Sequence, residues 1–248
     1  HPSYLFTTSQ LKTAIGDASA SLYYGTTFVQ QFASLSNVGI FDFHGDKYVY
    51  HKTNNELLWK TTFDAIAGPS KLIQDAIELS KDNPEYTNLH QMARIWKTVI
   101  YHRLTDLYGD VPYSEANMGY YKQINKPIYD SQKDIYFHML SELEDATSKL
   151  DASKTKYPSA DIAYGGDIDK WKKLGYSMML RLGMRLSKID PAASETWVKK
   201  AYAGGVMTSV DDNLYISGSD KTGSQIELTN GDSRTLAVTT RSPGKISK

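Results

Sequence analysis

The sequence contains no cysteine among its 248 residues. That excludes disulfide staples, thiolate metal sites and a cysteine nucleophile within the chain. A fold of this size buries roughly 70–75% of the surface its unfolded form exposes, so a hydrophobic core suffices without staples. An excess of either charge is also missing, since Lys+Arg and Asp+Glu both number 28. Nucleic-acid binding draws on clustered basic residues that neutralise phosphates; no basic block occurs, and that class is disfavoured. No apolar run approaches the roughly 18 residues that signal a membrane-spanning helix. The chain opens on His1 without a basic or apolar leader pattern, which leads us to expect a processed or trimmed form.

Signatures of catalysis are missing as well. A Gly-x-Ser-x-Gly elbow is absent: Gly218-Ser219 and Gly223-Ser224 lack its second glycine. There is no phosphate loop and no dinucleotide-binding glycine pattern, and His51, His90, His102 and His138 lack zinc-protease spacing. Glu142, Glu144 and Asp145 offer carboxylate pairs such as a glycosidase needs, but they share one amphipathic helix and read as its solvated face. Asp42, His44 and Asp46 are acceptable metal ligands at alternate positions, yet without a partner elsewhere they read as a solvated loop. Asp211-Asp212-Asn213 lacks the EF-hand pattern. The expectation is therefore no catalytic residue, no metal and no cofactor.

Tyrosine is abundant, with 18 in the chain and an aromatic fraction of 12%. Most of these rings are expected in helix seams; the remainder carry an apolar face that can stack on a sugar while the polar edge stays wet.

The apolar spacing predicts helices through most of the first 207 residues; Gly25 to Lys52 is less regular, with Phe28, Phe32 and Leu35 suggesting a short helix and Gly39, Gly45 and Phe41-Asp42-Phe43-His44 reading as a loop. Thr7 and Gln10 have capping-box spacing ahead of Leu11, Ile15, Ala18 and Leu22. Asn54 or Asn55 is the expected cap of a helix through Leu58 and Phe63, with a break at Gly68-Pro69 before Ile73 and Ile77. The clearest helix runs from Pro84 to Tyr108 along Leu89, Met92, Trp96, Val99, Arg103 and Leu107. Gly109 supplies its left-handed end and Pro112 prevents continuation. Residues 110–129 read as a connection. Ser131 and Asp134 then cap a helix with Ile135, Met139, Leu143, Ala146 and Leu150 on one side. After a second connection, 151–166, Asp167 caps a helix carrying Trp171, Leu174, Met178, Leu182, Leu186 and Ile189. Asp190-Pro191 opens a last helix closed by Gly204-Gly205. Residues 208–248 are rich in Ser, Thr, Gly, Asp and Lys and read as loops. The fold class expected is all-α, with residues 1–207 as a helical domain and 208–248 as a loop-rich segment. No repeat of about 34 residues is visible, although paired antiparallel helices invite comparison with tetratricopeptide arrays.

Three segments, in order, resemble the SusD/RagB family. The first is Ala93-Arg94-Ile95-Trp96, leading through Leu104 to Asp106-Leu107-Tyr108-Gly109-Asp110-Val111-Pro112-Tyr113-Ser114-Glu115-Ala116. The second is Pro127-Ile128-Tyr129-Asp130-Ser131-Gln132-Lys133-Asp134-Ile135-Tyr136 with Leu140, Leu143 and Ala146 behind it. The third is Asp161 to Asp167 with Lys170-Trp171, then Leu180-Arg181-Leu182-Gly183-Met184-Arg185-Leu186-Ser187. Residue by residue these are capping glycines, turn prolines and seam aromatics, so they mark the framework.

The resemblance implies a SusD-like helical framework with tetratricopeptide-like pairs, held on the outer face of the outer membrane through a lipidated N-terminal cysteine that this chain lacks. It implies capture of a glycan or oligosaccharide without chemistry, and import through a TonB-dependent SusC-like transporter as partner. The chain has about half the family's usual length, so a complete ligand site need not lie within it. The first candidates for ligand contact are Phe41, His44, Asp46, Tyr48 and Tyr50 in the least regular stretch, then Tyr113, Tyr120 and Tyr121. A helical-repeat adaptor for a peptide or protein is the alternative reading, and a glycoside hydrolase the third.

Overall fold

The computed structural model describes residues 1–20, 25–31, 45–64 and 66–216, with the backbone path alone for 15–20. Among these residues there are nine α-helices and no strand; Val111 and Asp130 form an isolated antiparallel bridge. The described residues are all-α, as the periodicity predicts. In order the helices are α1 (Pro2–Ala20), α2 (Thr26–Phe28), α3 (Lys52–Thr62), α4 (Pro69–Ser80), α5 (Thr87–Tyr108), α6 (Gly119–Lys122), α7 (Gln132–Ser148), α8 (Ile168–Arg185) and α9 (Pro191–Gly204). They fall into two units, His1–Gln10 with Ala65–Tyr215, and Leu11–Asp64 with Ile216–Lys248.

In the first unit α4 packs on α5, α5 on α7, α7 on α8 and α8 on α9. Every neighbouring pair runs antiparallel, which the cross-contacts fix. Ser80 meets His90 at 3.1 Å, while Lys97 donates to Gln74 at 2.9 Å. Arg94 near the start of α5 reaches Glu142 late in α7, whereas Tyr136 early in α7 donates to Asp106 near the end of α5. On α8, Gly183 lies against Trp197 and Val198, and Gly204 of α9 lies against Tyr176. These are the helix pairs that the resemblance implies.

The core is the shared apolar side of these helices: Leu89, Met92, Trp96 and Leu104 of α5, Ile135, Met139 and Leu143 of α7, and Trp171 and Leu182 of α8 are all buried. Each such side chain contributes about 1.5–3 kcal/mol of burial free energy. The α7–α8 seam is close enough to demand a glycine, because a Cβ on Gly175 would fall 2.0 Å from Thr147 Cγ2. Three of the expected caps are in place. The side chain of Ser131 accepts from the backbone N of Asp134, Asp167 from Asp169 and Lys170, and Asp190 from Ala193.

The connection 149–167 is organised around the buried Asp161. Its Oδ1 accepts from Gln10 Nε2 at 2.9 Å and Ala163 N at 3.0 Å. Its Oδ2 accepts from Gly166 N at 2.9 Å and Trp171 Nε1 at 2.6 Å. A buried carboxylate is tolerable only when its oxygens are satisfied in this way. Thr7 Oγ1 donates to Ala160 O at 2.6 Å, fixing the start of α1 to the same connection. Residues 207–212 are tied to α8 by Met207 N to Ser177 Oγ at 2.9 Å and by the Lys173–Asp212 ion pair at 2.7 Å.

Several expectations need correction. The first helix starts at Pro2 rather than Thr7; Thr7 is an interior residue whose hydroxyl also bonds Ser3 O at 3.0 Å. His51, not Asn54 or Asn55, caps α3, its ring accepting from the backbone N of Asn54. Ile189 does not join the apolar side of α8. That helix stops at Arg185, and Ile189 stands 84% exposed. Glu142 and Asp145 are not simply a solvated face. Arg94 grips Glu142 with two bonds of 2.8 Å and Asp145 with one of 2.6 Å, and Glu144 pairs with Lys200 of α9 at 2.7 Å. Such fork geometry aligns α5 with α7.

In the second unit the described residues hold α2, a 3₁₀ turn at Gly45–Lys47 and α3. Gly45 abuts α2 so closely that a Cβ would lie 2.1 Å from Thr27 Oγ1. Glu56 braces α3 between Lys52 at 3.6 Å and Lys60 at 2.5 Å.

Candidate functional site

Of the expected contact residues in the second unit, Phe41 and His44 lie outside the described residues. Asp46 is in the 3₁₀ turn, where its carbonyl accepts from Gln30 Nε2 at 2.9 Å. Tyr48 follows with a left-handed backbone, φ 54°, which a bulky residue adopts only when its surroundings hold it there. Its ring meets Phe28 edge-on at 5.9 Å yet is 66% exposed, and Tyr50 is 73% exposed. These are two open rings beside a half-buried turn carboxylate.

In the first unit the expected residues lie on the connection from α5 to α7. Gly109 ends α5 at φ 74° and returns its N–H to Thr105 O at 2.8 Å. The chain then goes out through Val111 and comes back beside it, with Asp130 N donating to Val111 O at 3.1 Å. The Asp130 carboxylate closes the excursion by accepting from Tyr113 N at 3.0 Å, Ser114 N at 2.9 Å and Ser114 Oγ at 2.6 Å. Partial burial works to raise this carboxyl, but those bonds outweigh it and hold it below the usual carboxylate range. A loop pinned at its base in this way presents its tip on a firm mount.

The three tyrosines of this loop have different surroundings. Tyr113 is 3% exposed. Tyr101 meets its ring edge-on at 4.9 Å, the Lys97 ammonium sits 4.9 Å from its centroid, and its hydroxyl bonds His138 Nδ1 at 2.9 Å. It is a packing residue with almost no exposed face. Tyr120 on α6 is 88% exposed. Tyr121 stands perpendicular to it at 5.2 Å and bonds the Asp75 carboxylate of α4. Burial and then the Asp75 charge push the Tyr121 phenol up to about 12, so it remains a donor at any physiological pH.

Beneath the loop lies a lysine that pattern reading passes over. Lys97 is pushed down to about 8 by burial, against the opposing pull of Glu142 and Glu78. Its ammonium rests on Gln74 Oε1 and the Tyr113 and Tyr101 rings. The available signal was its spacing, since Lys97 and Tyr101 are four apart and share one side of α5. Asp75 and Asp130 carried no distinguishing pattern. Together these groups offer an outward ring, a phenol oxygen fixed by its bond to Asp75, and a carboxylate. That is the vocabulary of a polar ligand site with an aromatic stacking surface. Among the described residues there is no grouping of side chains suited to hold a metal, and no helix is long and apolar enough to cross a membrane.

A frame of antiparallel helix pairs with tyrosine-bearing loops between them defines a class of helical proteins. The chain belongs to the SusD-like family described as starch-binding and associating with the outer membrane, which it matches over residues 1–240. A solved chitin-binding protein is 34% identical with a TM-score of 0.75, over 86% of this chain and 45% of that one. A Bacteroidetes SusD-like structure is 24% identical with a TM-score of 0.82, over 100% and 47%. A chitin-binding SusD homologue from Flavobacterium johnsoniae is 21% identical with a TM-score of 0.71, over 96% and 48%. The chain thus spans about half the length of these structures. No curated protein matches its sequence.

Proposed function

We propose that the chain is part of a cell-surface binding protein that captures an oligosaccharide and passes it to a TonB-dependent SusC-like transporter, without chemistry of its own. It would be held at the extracellular face of the outer membrane by a lipid anchor. The observation that carries this reading is the Tyr120–Tyr121 pair, an almost fully exposed ring beside an anchored phenol on a loop fixed at its base. An exposed ring on a rigid mount loses little freedom when a sugar covers it, so stacking is not cancelled by ordering. Tyr48 and Tyr50 form the corresponding candidate of the second unit, with Asp46 as an acceptor and with Phe41 and His44 in the same sequence stretch.

Chito-oligosaccharides and malto-oligosaccharides are the ligands to try first, because two of the structures named above are described as chitin-binding and the family as starch-binding. Isothermal titration should give saturable binding to one of these series, with Tyr120→Ala weakening it by about tenfold, or about 1.4 kcal/mol. Silence towards both series, alongside tight stoichiometric binding to a protein, would favour an adaptor. Turnover of the glycan would overturn the non-catalytic reading.

A further inference from the structure

At the opposite end of α5 from Arg94, the last turns of α5 and α8 and the first turn of α7 surround a groove of about 590 Å³. That lies within the roughly 300–1,000 Å³ typical of small-molecule sites. Its walls include Phe137 and Ile189, and Arg185 and Lys133 line it as cations.

Arg185 is placed there by a dedicated support. Its Nη1 is 2.8 Å from Asp106 Oδ2, and the same carboxylate is met by His102 Nε2 at 3.0 Å and by the Tyr136 hydroxyl. Burial works to raise the Asp106 carboxyl, but the bonds from His102 and Tyr136 prevail and hold it below its ordinary range. Asp106 is therefore an anion committed to three partners, and it fixes the guanidinium without filling it. Nearly half of the Arg185 side chain, 47%, stays exposed. The other carboxylate in the lining, Asp190, is engaged as the cap of α9, bonding Ala193 N at 3.0 Å, where the helix dipole offsets its charge. Lys133 is exposed.

We propose that this groove binds a uronic-acid unit, with the sugar carboxylate on Arg185 and Lys133 and the sugar ring against Phe137 and Ile189. A guanidinium held by Asp106 and Tyr136 yet nearly half exposed retains donors for a carboxylate, and its fork matches that group better than a hydroxyl. The apolar wall supplies the contact that a free inorganic anion would not use. This inference rests on the glycan reading above, but it concerns a surface that shares no residue with the tyrosine loop, and it names acidic glycans as a substrate class.

The test is titration of the protein with a galacturonate trisaccharide and with its methyl ester, a neutral ligand of nearly the same shape. The acid should bind at least about tenfold more tightly, and more weakly as salt rises. Arg185→Gln should remove that preference. Lys133→Gln, a surface change that leaves the Asp106 cluster intact, should reduce affinity for the acid severalfold and leave the ester unchanged. Equal affinities for acid and ester, or a Lys133→Gln protein that binds the acid unchanged, would overturn the proposal. If neutral glycans bind and lose affinity on Tyr120→Ala while the galacturonate does not bind, the groove assignment fails and the glycan reading stands. If no glycan of either kind binds, both fail.

Discussion

The two long connections of the helical unit, 109–131 and 149–167, solve one problem in different ways. Each must leave one helix and enter the next, and each is gathered around a single aspartate that accepts backbone N–H groups. Asp161 does so in the interior, where it also holds Trp171 and the Gln10 amide. Asp130 does so at the loop base near the surface, holding Tyr113 and Ser114. The 149–167 connection is a piece of core. The 109–131 connection is a mount, and what it mounts is Tyr120. The same residue type serves stability in one place and presentation in the other; the difference lies in what stands around the carboxylate.

That contrast can be broken experimentally, starting with the aspartates. Asp161→Ala leaves four donors without their acceptor in a buried place, and should cost about 3–5 kcal/mol of stability. Asp130→Ala, at a wetter position, should cost only about 1–2 kcal/mol, and denaturant melts of both proteins compare them directly. A larger loss for Asp130 would show that the surface connection is the real keystone.

The glycines sharpen the same point. Both Gly166, φ 78°, and Gly109, φ 74°, lie in the left-handed region. A Cβ on Gly166 would fall 2.0 Å from Lys156 O, whereas one on Gly109 meets nothing within 4 Å. Gly109→Ala should cost about 1–2 kcal/mol of backbone strain, and Gly166→Ala should cost more, since backbone must also shift. Thermal melts that rank them the other way would contradict the packing of the 149–167 connection.

The pH effect is smaller. Asp130 has a folded pKa below its unfolded value, so its contribution is present at neutral pH and is lost as pH falls through the folded value, below about 4. Amide exchange at Tyr113 and Ser114, whose N–H groups Asp130 accepts, should accelerate there. Last, Tyr120→Ala should change stability by no more than about 0.5 kcal/mol while weakening glycan binding, which separates presentation from support.

Much of this frame was legible in the chain itself. The caps Ser131, Asp167 and Asp190 and the stop at Gly109 are local chemistry, readable wherever a polar residue precedes an apolar series. The start of α1 was not, because Thr7 has the look of a cap but spends its hydroxyl on Ala160, a partner 153 positions away. Ile189 fits the period of α8 but lies past the point where that helix stops, so its spacing carried no burial. The site was less legible than the fold. Tyr113 and Tyr120 are the same residue type in the same loop, and only the neighbours Tyr101, Lys97 and His138 on α5 and α7 decide which ring is covered. Lys97 and Arg185 owe their roles to neighbours on other helices, which spacing along one helix does not reveal.

The Gln10–Asp161 bond has a consequence for time as well as for stability. The α4–α9 succession is built from contacts between neighbours in sequence, which form early and at small entropic expense. The bond from Gln10 closes a span of 151 positions, and the entropy lost on closure rises with the logarithm of that span. The opening turns of α1 precede that stack in the chain and should dock last. They act as a clasp that closes over a stack already assembled, and hydrogen exchange at Phe6 and Thr7 should report its opening ahead of the unfolding of α5.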